Sequence, residues 1–263
     1  MTLAGLRAFL SAGFCTALLA ACSDETPAGD PAPALGARSA HAFVVMGPGG
    51  ETRDHLLSGV AGPDADLHPA AAAEAEARAA LDALIAGQTL SVTPAGEPDR
   101  YDRTPAQAAL PDGRDLAAAL VETGWAMVWP REGQAADFEA LFAAEERARQ
   151  DNAGAWAEGV FKVLDPDPNT LAQRLDGPVI VTGRIVSTGE GRDGRLYLNF
   201  GLDWRTDFTV SATRQIRSRF EDSGVSLELL DEAVVRARGW LYAENGPMIA
   251  LNHTAQIEVL DAP

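Results

Sequence analysis

The chain has 263 residues, 46% of them apolar, enough for one large core or two small ones. Its formal net charge of −17 repels polyanions at long range. That excludes broad, non-specific nucleic-acid binding unless a local basic patch overrides the bulk charge.

At the N-terminus, Arg7 precedes an apolar run from Ala8 to Leu19. The run suits the core of a signal peptide over residues 1–21 and is short for a membrane span. It ends in Leu19-Ala20-Ala21-Cys22, which resembles the bacterial lipobox. That resemblance implies a lipid on Cys22, a membrane partner through that lipid, and a place in the bacterial cell envelope facing the periplasm or exterior. The alternative is an ordinary signal peptide cleaved at a small-residue site. Residues 22–40 are polar and rich in Pro and Ala, and are expected to form a disordered tether. Cys15 falls in the removed segment, so no disulfide or cysteine metal site is expected within one mature chain.

Two folded regions are expected, at 41–164 and 171–263, with the Pro-rich joint LDPDPNTL between them. The first opens with short strands at Ala42–Met46 and Thr52–Val60. A helix over 70–86 follows, dominated by Ala and Leu and stopped by Gly87. Strands at Thr89–Thr93 and Pro105–Leu110 come next, then a Pro111-Asp112-Gly113 turn and a helix at Leu116–Glu122. A strand at Trp125–Trp129 and a helix at Ala135–Gln150 complete the region. The second region reads as strands at Val179–Ser187, Leu196–Phe200, Asp207–Ser211, Ala233–Tyr242, Met248–Asn252 and Gln256–Leu260. The last of these is readable as an extension of the fifth. A helix near Thr213–Glu221, with a further helical stretch at Ser226–Leu230, separates the third from the fourth. That order is the one found in OB-type barrels.

Four pieces of the first region, in order, resemble the thermonuclease (staphylococcal-nuclease-like) family. They are Gly59-Val60-Ala61-Gly62-Pro63-Asp64, then Asp99-Arg100-Tyr101-Asp102-Arg103, then the Leu110–Leu116 turn with Leu120-Val121 and Gly124. The fourth is Ala144-Glu145, Ala148-Arg149, Gly154 and Trp156. The resemblance implies a fold class of α+β or mainly β: a thermonuclease-like OB barrel with packed helices, then a second small OB-like barrel. In that family two arginines, a glutamate and two aspartates serve a calcium-dependent phosphodiester cleavage. Carried over by position, Arg103 and Asp64 remain as candidate catalytic residues. Leu56 stands where the second arginine belongs and Ala61 where a metal-binding aspartate belongs, and the HAFVVMGPGG stretch holds no acid. No nearby cation in the sequence restores the second arginine. Arg103 is also readable as a partner of Asp99 or Asp102, and Asp64 as a turn or cap residue.

Histidines 41, 55 and 68, with Asp64 and Asp66, lack the spacing of converging ligands, so no metal site is assigned. His253 reads as a strand-end or turn residue. Residues 192–220 interleave arginines with aromatics, as single-strand-binding grooves do. Arg192, Arg195, Tyr197, Trp204, Arg205, Arg214 and Arg217 are the candidate binding residues there. The competing reading makes Tyr197, Phe200 and Phe208 core and the arginines a solvated face. The leading functional expectation is a lipid-anchored envelope protein whose degenerate thermonuclease-like domain binds or scaffolds. Its partner would be single-stranded nucleic acid, another polyanion or an envelope protein, with no cofactor. The alternatives are an active divalent-metal nuclease or phosphodiesterase, for which calcium would be the cofactor, and a structural envelope lipoprotein.

Overall fold

A computed structural model describes residues 29–63 and 71–262. The proposed signal peptide, Cys22, Asp64, Asp66 and His68 lie outside the described residues. The first barrel opens with three strands, β1 (Asp30–Ser39), β2 (Ala42–Met46) and β3 (Thr52–Leu57), and the short β4 (Val60–Ala61). Helix α1 (Ala71–Ile85) leads to β5 (Thr89–Pro94) and β6 (Thr104–Ala109). Helix α2 (Leu116–Glu122), strand β7 (Met127–Val128), helix α3 (Phe138–Gln150) and the turn-length α4 (Gly154–Ala157) close the first unit. The second begins with β8 (Val163–Leu164), α5 (Pro168–Ala172), β9 (Gly177–Arg184), β10 (Ser187–Glu190), β11 (Leu196–Asn199) and β12 (Thr209–Ala212). It ends with α6 (Arg214–Asp222), β13 (Val234–Ala243), β14 (Pro247–Ala250) and β15 (Ile257–Asp261).

Strands β1-β2-β3-β6-β5 form a closed barrel. Closure depends on β1, which pairs with β2 along one edge and with β5 along the other. The expected tether is therefore corrected: from Asp30 onward it is barrel wall. Pro31 and Pro33 are tolerated because β2 pairs with β1 only from Ala34 onward, so at both prolines β1 has β5 alone as a neighbour and no ladder N–H is missed on the other edge. The barrel is filled by Phe43, Leu57, Leu90 and Ala106, with Leu81 and Ile85 of α1 and Leu120 of α2 plugging it.

The strand expected over Thr52–Val60 breaks at Gly59, whose φ of +76° an L side chain rarely adopts. The chain turns there, and β4 leaves the barrel to pair with β7. Strand β7 is accordingly only two residues, shorter than the expected Trp125–Trp129. Helix α3 starts at Phe138 rather than Ala135 because the Asp137 side chain accepts from the Ala140 N–H at 3.0 Å and fixes the cap. Gly124 explains a second motif position. Its φ is +77°, and a Cβ there would lie 2.2 Å from the Ala153 carbonyl oxygen.

The expected boundary at residue 164 also shifts. Strand β8 already belongs to the second sheet, parallel to β9, and the joint beyond it is helix α5, capped by Asp167. The second unit is an eight-stranded sheet in the order β10-β11-β12-β14-β13-β9-β8, with β15 also paired to β13. The expected strand Val179–Ser187 bends, and its two halves serve opposite ends of the sheet. Strand β9 pairs with β13 and β10 with β11. At the bend, Ile185 N–H donates to Ala233 O while the adjacent Val186 N–H donates to Asn199 O. Strands β14 and β15 lie along the same edge of β13, so β15 does extend the fifth strand. Gln256 fills the gap between them, donating to Arg238 O at 3.1 Å and accepting from Asn252 and His253 N–H at 2.7 and 2.9 Å.

The two units are docked through the outer faces of β9 and β13. Along β13, Val235, Ala237 and Leu241 face the second core, so Arg236, Arg238 and Trp240 point outward. Arg238 is fully buried against the first unit. It donates to Glu145 of α3 with both terminal nitrogens at 3.0 Å, to Val128 O at 2.9 Å, and to Glu258. Glu145, also fully buried, accepts from the Val128 N–H at 2.8 Å. Burial works against the Arg238 charge, but the two carboxylates more than offset it and its pKa lies above the ordinary value. An apolar seam of Ala61, Met127, Ala148, Trp156, Phe161 and Ile180 lies beside it, drawn from both units.

Removing one partner of such a pair strands the other without compensation. Arg238→Met is expected to cost about 3–5 kcal/mol in urea unfolding. The Arg238→Met/Glu145→Met double variant should lose clearly less than the sum of its singles. Additive losses would show that the pair does not couple the units.

Candidate functional site

The charged loop between β5 and β6 is folded around Asp99. Its Oδ1 accepts from the N–H of Tyr101 at 2.9 Å and of Arg103 at 3.0 Å. Its Oδ2 accepts from Arg103 Nε at 2.9 Å and Nη2 at 2.7 Å. Asp102 takes φ of +61°, which explains why the family pattern has glycine there and why a short polar residue can replace it. Of the two ion pairs considered from the sequence, the Asp99 one forms. The Arg103 guanidinium bonded to it holds the Asp99 carboxyl down to about 2. Arg103 lies 5.0 Å from the centre of the Tyr101 ring, and Arg100 lies 4.7 Å from it. The guanidinium is thereby oriented on one side, and its other terminal nitrogen has no hydrogen-bond partner among the described residues.

The structure supplies a second cation. Arg131, in the loop after β7, comes near enough to Arg103 to feel its charge. Burial first, and Arg103 second, lower its pKa. The expectation that no nearby cation restores the missing arginine concerned only the chain neighbours of Leu56, from which Arg131 is remote. The sequence offered no periodic signal for it, since Arg131 lies 28 positions beyond Arg103 and reaches the site only through the β4–β7 pairing. His41 lies beside both. Loss of water around its ring, then the charges of Arg131 and Arg103, hold its pKa down to about 3. The Gly62 N–H donates to His41 Nδ1 at 3.4 Å, which assigns the proton to Nε2. His41 and Arg131 line one cleft, and the charge of Arg103 reaches both. Such a set suits a phosphate oxygen.

The positions expected to carry charge are spent otherwise. Leu56 is buried, and Ala61 belongs to the apolar seam between the units. Among the described residues, no three His, Cys, Asp or Glu side chains converge as a metal-binding group. His55 is in the barrel interior, tilted against Phe43, with its Nδ1 3.3 Å from Thr104 O. His253 caps the turn before β15 and packs 4.8 Å from Phe138.

In the second unit the candidate arginines divide. Arg217 is held by Glu190 and Glu228 at 2.8 and 2.7 Å, and its pKa is raised chiefly by the Glu190 bond. Arg195 lies 3.8 Å from Glu244. Among the described residues no carboxylate comes within 4.0 Å of Arg192, Arg205 or Arg214. Arg214 lies over Gly194, and Arg205 sits 4.2 Å from the centre of the exposed Trp204 ring. Phe200 and Phe208 are core. Tyr197 is not, because it alternates with the buried Leu196 and Leu198 and faces outward.

The first unit is thus a closed five-stranded barrel with packed helices. Residues 56–158 match the family model described as Staphylococcal nuclease homologue. The match falls within the first unit, and β1 and β2 of its barrel precede it. No curated protein matches the chain.

His41 carries a pH expectation. A histidine whose folded pKa is depressed leaves more protons bound to the unfolded chain between about pH 3 and 6.5. Its full stability is present above pH 6.5 and is lost as pH falls toward 3. By NMR, His41 should remain neutral at pH 5. Replacing it with Gln should flatten the acid limb of the stability profile over that window. A ring that titrates near 6.5 would refute the placement.

Proposed function

We propose that the protein is a lipid-anchored envelope module that binds single-stranded nucleic acid through the cationic mouth of a degenerate thermonuclease-like barrel. The observation that carries this reading is the contrast at one site. Arg103, Arg131 and His41 gather as donors for phosphate, while Leu56 and Ala61 replace charged groups with apolar contacts. A donor set without clustered carboxylates among the described residues holds a phosphodiester but lacks the usual means of placing a hard cation on it. The lipobox around Cys22 supports the anchor and the envelope location. The exposed Arg192, Arg205 and Arg214, with Trp204, supply a second, weaker contact for the same strand.

The test is binding of a fluorescent single-stranded oligonucleotide to the full chain over a salt series. Arg103→Ala and Arg131→Ala should each weaken binding about tenfold and reduce the salt slope by about one. Affinity unchanged in both variants would overturn the phosphate-site reading. Calcium-dependent cleavage abolished by Arg103→Ala would instead make the protein a phosphodiesterase.

A further inference from the structure

A cleft of about 800 Å³ lies between the two units, large enough for a small ligand. The first unit contributes Arg131 and Trp129, and the second contributes Trp240, whose side chain points outward from β13 and is 52% exposed. Lys162 and Arg174, from the segments flanking β8 and α5, add two more cations. None of the three basic residues has a carboxylate within 4.0 Å among the described residues. Glu74 and Glu158 also line the walls. This mixture is selective. Two carboxylates disfavour a ligand that is anionic along its whole length, and they can accept hydrogen bonds from neutral amino or hydroxyl groups. The cations require an anionic end, and the indoles provide flat apolar surface for a ring.

We propose that this cleft binds a nucleoside monophosphate, its phosphate on the basic residues and its base against Trp240. The site extends the nucleic-acid reading across the domain boundary and rests on it through Arg131, which belongs to both sites. It needs both units. Residues 56–158 alone would lack Trp240, Lys162 and Arg174, so nothing in the family match supplies it. The docking by Arg238 and Glu145 fixes one wall of the cleft against the other.

Adenosine monophosphate, adenosine and inorganic phosphate should be titrated separately into the full chain, followed by tryptophan fluorescence and calorimetry. The monophosphate is expected to bind at least tenfold more tightly than either fragment. Trp240→Ala should weaken it about tenfold, and Lys162→Ala/Arg174→Ala should weaken it at least as much. Because Lys162 is the only lysine, its modification by an amine-specific reagent, read by peptide mass spectrometry, should slow when the monophosphate is present. Monophosphate binding no tighter than inorganic phosphate, or unchanged in both variants with Lys162 unprotected, would overturn the proposal. Oligonucleotide binding lost in Arg103→Ala with no monophosphate binding would sink the cleft and leave the barrel mouth standing. Monophosphate binding that needs Trp240, with oligonucleotide binding indifferent to Arg103, would do the reverse.

Discussion

One guanidinium, buried where two folded units meet, organises the molecule. Arg238 reaches out of the second sheet into the first unit, where Glu145 and the Val128 carbonyl receive it. A fully buried charge survives only when its hydrogen bonds are nearly complete. Four of its contacts are made by Glu145, Val128 and Glu258, and its face lies 4.7 Å from the centre of the Phe142 ring. Only Nε lacks an acceptor. The bond is directional, so it sets orientation in a way that the neighbouring apolar seam cannot. Around it lie weaker inter-unit contacts: Arg236 with Glu146 at 3.8 Å, Arg219 with Glu132 at 3.4 Å, and Phe138 with His253.

That docking has a chemical consequence. Residues at the end of β4 cannot serve both an apolar seam and a hydrated cation. Ala61 contributes to the seam with Met127 and Trp156. A carboxylate there would be desolvated beside Ile180 of the second unit, at a cost of several kcal/mol unless paired. Ala61 thus sits at the joint between the units, where it also lines the cleft. The closing-helix motif is reused in the same way. Glu145 holds the β7 backbone on one side and the second unit on the other.

The charge distribution fits a local rather than a diffuse site. The chain is strongly acidic overall, yet its cations gather at the barrel mouth and in the cleft. An anionic ligand would therefore have to be recognised at short range by oriented donors, since the long-range field would oppose its approach. Asp99 contributes to this by holding Arg103 in one orientation, which reduces the ordering that binding would require.

Much of the local architecture was legible in the sequence. The helix after β4, the helix at Leu116–Glu122, the turn at Pro111-Asp112-Gly113 and the alternation of Leu196, Leu198 and Phe200 all depend on residues a few positions apart. The Asp137 cap was missed, and α3 starts later than expected. The D-R-Y-D-R loop was legible too, because Asp99 bonds to residues two and four positions away. What sequence could not decide was which distant segments meet. A Pro-rich stretch became β1 only because the barrel has two open edges for it to pair with. Arg131 came within reach of the Arg103 charge beyond the β4–β7 pairing, and Arg238 found Glu145 where the outer face of β13 docks on α3; no periodicity encodes either. The composition and spacing of this chain determined its elements and its surviving basic loop. The tertiary structure alone decided which charges would share a site, because that depends on which buried surfaces fit together.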